Sequence, residues 1–238
     1  MGEEFCWEEL SPSLFICVSS AHKFGTDAFL LSDFAAPRRK DLCCDLGTGC
    51  GIIPLLWFRD DPPRLCYGAD IQKQAIEQLE QSIQKNGLKD RFIPLLTDLK
   101  ELSSLPCGPL DLVTCNPPYK AQGSGILSET GAERIARHEV LCTIEDVCQA
   151  ASRLLRFGGR LCLCQRPERL CDILCAMRSA GIEPKRVRFV QQRPASAPWL
   201  FLVEGKKGSK PYMTVEPPLL VEGEGGFSQE ILRIYHKK

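Results

Sequence analysis

The chain has 238 residues, enough for one large domain, and a hydrophobic fraction of 44% supports a real core. Its 30 basic and 30 acidic residues balance, so no global field announces a nucleic-acid partner, and any such contact must come from a local patch. No apolar stretch approaches a membrane span, and the opening Met-Gly-Glu-Glu is not a signal peptide.

The 14 cysteines form no Cys-x-x-Cys pair, and there are only three histidines, His22, His138 and His236. This argues against a zinc site, any other metal or a disulfide framework. Reduced thiols in a cytoplasmic protein are expected, with Cys43, Cys44, Cys66, Cys115, Cys162 and Cys164 acting as small hydrophobes.

In chain order, residues 1–20 read as a β-hairpin region carrying the apolar run Leu14 to Val18. A short helix follows, capped by Thr26 or Asp27, with Phe29, Leu30 and Phe34 on its apolar face. Pro37 and a solvated basic turn, Arg38-Arg39-Lys40, close it. This extension, residues 1–40, is expected to pack on a core formed by residues 41–238, giving one compact domain overall. The first buried strand runs from Asp41 to Leu46, followed by a glycine turn and a helix from Ile52 to Phe58. A second strand, Arg64 to Ala69, ends at Asp70, and a helix from Ile71 to Asn86 stops at Gly87. A third, Arg91 to Leu96, contains Pro94, which suits an edge position. Leu110 to Cys115 is the fourth and breaks off at Asn116-Pro117-Pro118-Tyr119. Pro117 lacks an N–H and drives Asn116 out of the helical region, so the strand cannot run on into a helix.

Residues 120–135 are polar and glycine-rich. Thr143 caps a helix through Leu155; Asp146 stands where a full capping box carries glutamate or glutamine. After Phe157-Gly158-Gly159 comes a fifth strand, Arg160 to Gln165, then a helix from Pro167 to Ala180. Val187 to Gln191 and Trp199 to Glu204 are too close for a crossover helix and should pair as an antiparallel hairpin. The tail, with Pro217-Pro218 and residues 223–226, reads as surface structure. Alternating strands and helices over 41–181 imply an α/β fold: a Rossmann-like doubly wound sheet, mostly parallel and made mixed by the C-terminal hairpin.

Chemistry concentrates at the strand ends. The Asn116 side-chain oxygen and the Pro117 carbonyl are acceptors that together suit the two hydrogens of a planar amino group, and Tyr119 offers a face to the ring that carries it. Such an amine is a poor nucleophile, because its lone pair is delocalised. Acceptors that favour a pyramidal nitrogen localise that pair as bond formation begins. A primary amide fits the same grip. Gly47-x-Gly49-x-Gly51 lets the backbone approach a ligand, but the spacing departs from the dinucleotide fingerprint. Asp45, before the glycines, suits an amino-acid cation. Asp70 suits the two hydroxyls of a ribose, and Asp98 an adenine amino group; the neighbouring Ile71 and Leu99 belong to the same expected pocket. An amino acid, a ribose and an adenine joined together describe S-adenosylmethionine.

These segments resemble the Rossmann-like, class I S-adenosylmethionine-dependent methyltransferases that act on amino nitrogens. Further segments are similar to one branch, the bacterial tRNA1(Val) adenine-N6-methyltransferase family. They are Phe24 to Leu31, Asp45 to Leu56, Ala136-Arg137-His138-Glu139 and Glu183-Pro184-Lys185-Arg186. The resemblance covers nearly the whole chain; one departure is Asp70, where glutamate is expected. It implies methyl transfer to N6 of the adenosine 3′ of the anticodon in valine tRNA, with an anticodon stem-loop as partner. It also places Thr26 and Asp27 against the methionine end of the cofactor. Arg134, Arg137 and His138 are candidates for phosphate contacts or for shaping the substrate pocket, and Lys185, Arg186, Arg188, Lys206, Lys207 and Lys210 for a basic RNA footprint. A monomer or weak dimer is expected. The catalytic motif alone leaves open a protein-glutamine or DNA-adenine substrate, and a different class, a non-catalytic cofactor- or RNA-binding scaffold, has no need of Asn116 and Tyr119.

Overall fold

The computed structural model describes residues 5–19, 24–117 and 142–236. The chain begins with an antiparallel hairpin, β1 (Cys6–Ser11) and β2 (Leu14–Val18), and a helix, α1 (Thr26–Ala35). Alternating elements follow: β3 (Leu42–Leu46), α2 (Ile52–Arg59), β4 (Leu65–Asp70), α3 (Lys73–Lys85), β5 (Phe92–Leu96) and β6 (Leu110–Cys115). From residue 142 onward come α4 (Ile144–Leu154), β7 (Leu155–Gln165), a 3₁₀ turn (Pro167–Arg169) and α5 (Leu170–Ser179). The hairpin β8 (Ile182–Gln191) and β9 (Pro198–Lys207), the short strands β10 (Thr214–Val215) and β11 (Leu219–Leu220), and a helix, α6 (Gln229–Ile234), complete the fold.

One mixed sheet runs β5-β4-β3-β6-β7-β9-β8, with β10 and β11 pairing beyond β8. The pairs β3–β4, β4–β5, β3–β6 and β6–β7 are parallel, while β9 is antiparallel to both β7 and β8. The chain therefore winds outward from β3 to β5, then returns to lay β6 on the other side of β3. The strand order reverses between β3 and β6, and in open α/β sheets ligands bind beyond the carboxyl ends of the strands at such a point. Pro94 sits on β5, the edge strand, where its missing N–H breaks no inner ladder.

Both faces of the sheet are covered, which explains why the central strands lack polar alternation. On β6, Leu112 joins the core under α1, α2 and α3, while Val113 and Cys115 join the core under α4 and α5. Cys162 and Cys164 of β7 face the first core, and Leu161 and Leu163 the second. All fourteen cysteines are free thiols; those of β2, β3, β4, β6 and β7 are buried as small hydrophobes, while Cys6 on β1 is exposed. Burial pushes Cys50 and Cys148 up to about 12, which keeps them thiols at neutral pH.

Local chemistry sets the element ends. Thr143 accepts the Asp146 backbone N–H at 3.2 Å and Asp146 accepts that of Thr143 at 2.9 Å, so aspartate completes the capping box. Helix α1 starts with Gly25 at the cap position and no side-chain cap bond from it; Asp27, in the first turn, accepts the N–H of Ala28. Strand β2 docks on α3 through Asn86, whose amide accepts the N–H of Phe15 at 2.9 Å and donates to its carbonyl at 2.6 Å, as a neighbouring strand would. The strands of the last hairpin extend beyond the expected bounds, to ten residues each.

The tail departs from its expected surface role. Residues 214–220 extend the sheet, and Leu219, Val221, Ile231 and Ile234 are buried. Pro217-Pro218 separates two short strands that pair in parallel with successive stretches of β8. Ile231→Ala should therefore destabilise the protein by about 2–4 kcal/mol, as core truncations do, measured by urea unfolding. A loss below about 0.5 kcal/mol, the range of surface substitutions, would return the tail to the surface.

Candidate active site

The strand ends at the switch point enclose a cleft of about 440 Å³. Of the residues singled out in the sequence, Gly47, Asp70, Ile71, Asp98, Leu99, Asn116 and Pro117 line it. Each follows or ends a strand: Gly47 after β3, Asp70 at the end of β4, Asp98 after β5 and Asn116 after β6. Pro118, Tyr119, Arg134, Arg137, His138 and the stretch 120–135 lie outside the described residues.

The glycine turn has two functions. Gly47 and Gly49 adopt left-handed backbone, at φ +66° and +54°, and a Cβ on either would meet nothing within 4 Å. Gly47 lines the cleft, while Gly49 lies outside its lining and donates its N–H to Asp70. Gly51 differs: a Cβ there would come within 2.5 Å of Leu79 and 3.4 Å of Phe92. It lies outside the cleft lining, and its missing side chain allows the start of α2 to close on α3 and β5.

Asp70 is held as a rigid acceptor at the rim. Its two carboxylate oxygens accept the N–H groups of Gly49 and Gln72, each at 2.9 Å. The first bond ties the glycine turn to the end of β4, and the second starts α3. A carboxylate offers about four lone-pair sites, so two bonds of this kind orient the group and leave it able to accept more. Asp98 accepts the N–H of Lys100 at 2.8 Å, which makes it a turn aspartate as well as a cleft residue.

Asp45 does not reach the cleft. Its side chain lies behind the glycine turn, 1% exposed, and accepts the Thr114 hydroxyl of β6 at 2.6 Å. This bond links β3 to β6 behind the turn. Burial pushes this carboxyl up from 3.8 to about 7, while the Thr114 hydroxyl opposes the rise and the charge of Asp70 adds to it.

Asn116 is oriented by partners from two distant elements. Its Nδ2 donates to Asp27 Oδ2 at 3.0 Å, and its Oδ1 accepts from the Cys164 thiol at 3.1 Å. An ionised carboxylate only accepts, so the amide NH₂ must face Asp27 and the oxygen must face the other way. Thr26 and Asp27 are not in the cleft lining; Asp27 meets the site through Asn116.

Several lining residues carried no sequence motif. Gln165 ends β7, Thr143 and Glu145 start α4, and Arg169 and Ile173 begin the α5 region. Their positions follow from topology: Gln165 ends the parallel strand next to β6, and α4 points its amino end into the cleft. The residues present fit a nucleoside bearing a charged tail. They provide an open glycine turn, a fixed carboxylate one strand away and an apolar wall of Ile71, Leu99, Ile144 and Val147, within the volume range of ligand pockets.

Strand order, switch point and glycine turn define a class I methyltransferase. The chain belongs to the methyltransferase small domain family, whose profile matches residues 18–169. It is 26% identical over 216 residues to the tRNA1(Val) (adenine(37)-N6)-methyltransferase of Tolumonas auensis, covering 90% of this chain and 88% of that one. The enzyme of the same name from Porphyromonas gingivalis is 29% identical over 191 residues, 77% of this chain and 74% of the relative. In structure the chain is similar to a predicted O-methyltransferase from Agrobacterium tumefaciens, with a TM-score of 0.69 at 22% identity, covering 89% of this chain and 96% of the other. At that identity the likeness shows the fold alone.

The raised Asp45 carboxyl generates a pH dependence. Below 3.8 it is protonated in folded and unfolded chains alike. Between 3.8 and about 7 the unfolded chain ionises while the folded one keeps its proton, so stability falls as pH rises and levels off above about 7. Asp45→Asn keeps an oxygen for Thr114 and removes the titration. Its stability relative to wild type should rise by about 1.4 kcal/mol per pH unit up to the plateau, read by urea unfolding from about pH 5 to 9. A difference that does not vary with pH would show that Asp45 is ionised throughout.

Proposed function

We propose that the protein is an S-adenosylmethionine-dependent methyltransferase that methylates the exocyclic N6 of an adenosine in tRNA, the one 3′ of the anticodon of valine tRNA. We read it as a bacterial, cytoplasmic enzyme, a monomer or weak dimer, whose partner is the anticodon stem-loop. The observation that carries the reading is the Asn116 amide at the switch point, held so that its oxygen, not its nitrogen, is the end left facing away from Asp27. The names of the similar tRNA methyltransferases support the substrate. No described helix is long and apolar enough to cross a membrane.

In this reading Gly47 and the neighbouring turn bring backbone against the cofactor, Asp70 accepts its ribose hydroxyls, and Asp98 and Leu99 border the adenine. The cofactor, when bound, supplies a methyl group made electrophilic by a positively charged sulfur. The chain's own task is then positioning. Asn116 Oδ1 and the Pro117 carbonyl accept hydrogen bonds from the two N–H groups of the target amine, drawing its lone pair out of the ring as the nitrogen turns pyramidal. That gain belongs to the transition state, where it raises turnover. The positive charge that arrives with the methyl group leaves the nitrogen as a proton to solvent. An anticodon loop suits this site because its bases are already partly unstacked.

Methyl transfer from labelled S-adenosylmethionine to tRNA from a strain lacking the endogenous activity, followed by nucleoside analysis, tests the reading directly. Label should appear in N6-methyladenosine; label absent from RNA, with the cofactor still bound, would move the substrate to a protein amide. Asn116→Ala should lower kcat roughly 100- to 1,000-fold, as loss of one transition-state hydrogen-bond partner does, and leave cofactor affinity within a few-fold. Retained turnover would remove Asn116 from the acceptor role. Asp70→Ala should weaken cofactor binding roughly 10- to 100-fold by calorimetry, the size of a lost charge-assisted hydrogen bond. Unchanged binding would leave Asp70 a turn and helix-start residue only.

A further inference from the structure

The basic runs of β8 and β9 are sorted by the fold into engaged and available cations. Arg186 donates to Glu204, Glu216 and the Phe34 carbonyl and lies over the Phe34 ring at 3.9 Å. Arg188 makes a two-pronged pair with Glu230 at 2.6 and 2.8 Å. Lys207 donates to the carbonyls of Ser152 and Leu155 where α4 ends, at 2.5 and 2.7 Å. These three hold the structure together. Lys185, Lys206 and Lys210 are different: no carboxylate pairs with them among the described residues.

Lys206 and Lys210 line a cavity of about 570 Å³ at the amino ends of β3, β6 and β7, the edge of the sheet opposite the cleft. Its lining carries six cations and two carboxylates, in a chain whose formal charge is zero. Both carboxylates are already engaged, Asp111 by Arg156 at 2.6 Å and Asp41 by Arg160 at 3.5 Å. The uncompensated charge is therefore local and faces solvent. One large ring, Phe157, lines the cavity, and a second, Tyr212, stands outside its lining. Phe157 is 76% exposed and lies so close to Gly208 that a Cβ there would come within 2.2 Å of the ring. Tyr212 is 75% exposed, with Lys185 Nζ at 5.8 Å from its centroid. Lys185 also donates to the Lys210 carbonyl at 3.2 Å, which joins the two ring-and-cation groups into one surface.

We propose that this surface binds RNA, its cations taking phosphates and the rings of Phe157 and Tyr212 taking exposed bases or sugar faces. An isolated cation patch fits any polyanion; exposed rings set among unpaired lysines fit one that also presents flat apolar faces. The inference rests on the RNA reading of the active site and extends it. Lys206 pairs with Arg160, four residues before Cys164 on β7, roughly 13 Å at about 3.3 Å per residue, and Phe157 lies in the irregular stretch that leads into Arg160. The surface thus meets RNA remote from the target base.

The test uses the full chain, bulk tRNA, and a short hairpin carrying only the anticodon loop and its closing pairs. Binding is read by anisotropy across a salt series, and methyl transfer is read separately. Lys206→Glu/Lys210→Glu should weaken tRNA binding about tenfold or more and make the plot of log affinity against log salt shallower by roughly 1.5, the share of two phosphate contacts. Phe157→Ala should weaken it roughly fivefold or more with the salt slope unchanged, as loss of a stacking face does. Neither should alter hairpin methylation or cofactor affinity, which also report that the variants fold; Lys206→Gln/Lys210→Gln is the milder second pair. Unchanged tRNA affinity and slope in these variants would overturn the surface, as would a wild-type protein that binds no tRNA. Variant-sensitive tRNA binding by a wild type that methylates no RNA would uphold the surface and overturn the catalytic reading alone.

Discussion

Parallel strands β3 and β6 lie side by side at the centre of the sheet, and a fully buried pair of side chains is hydrogen-bonded between them near their carboxyl ends. Asp45 and Thr114 are register partners, and the buried carboxyl accepts the hydroxyl at 2.6 Å. A slip of one residue would put the two side chains on opposite faces of the sheet and leave the buried Asp45 carboxyl without its hydroxyl partner, a cost that makes the register well specified. With this register fixed, Leu46 pairs with Cys115, so the next residues, Gly47 and Asn116, emerge at one level on the same edge. The two proposed binding elements, one for cofactor and one for substrate, are aligned by an interaction that touches neither.

Much of this was legible in the sequence because it depends on strand ends. The run from Leu110 to Cys115 stops at Asn116-Pro117 for a covalent reason, and the strand in the structure has those bounds. Pro94 identified an edge, since a proline cannot serve an inner ladder. The helix stop at Gly87 and the cap at Thr143 are local devices, each written in one or two residues. Asp70 and Asp98 were legible as strand-end carboxylates, and both line the cleft.

What was not legible depends on depth and on partners far away in sequence. Asp45 reads as a strand-end carboxylate like Asp70, yet one is sealed behind the turn and the other stands at its rim; the strand pattern does not distinguish them. Gly51 matches Gly47 and Gly49 in spacing, but the side chains of Leu79 and Phe92, many residues on, decide that it serves packing. In the tail, the buried apolar residues Leu219, Val221, Ile231 and Ile234 are spread among prolines and glycines, too sparse to give a helical or strand period. Their burial comes from the edge of β8, which offers backbone pairing that no local pattern announces.

The orientation of Asn116 shows why the amino-terminal elements cannot be treated as an accessory. An asparagine amide presents a donor end and an acceptor end of nearly equal size, and a strand followed by two prolines fixes where the group stands but not which end faces the cleft. The choice is made by Asp27, 89 residues earlier, because a carboxylate accepts and never donates when ionised. Cys164, 48 residues later, adds a thiol donor on the opposite side, which agrees with the same orientation. Helix α1 supplies the first partner and buries Leu30, Leu31 and Phe34 in the core shared with α2 and α3. The packing of that helix and the polarity of the proposed acceptor are thus one constraint. If α1 shifts, the amide loses the partner that distinguishes its oxygen from its nitrogen, even though the strand and turn that carry Asn116 remain in place.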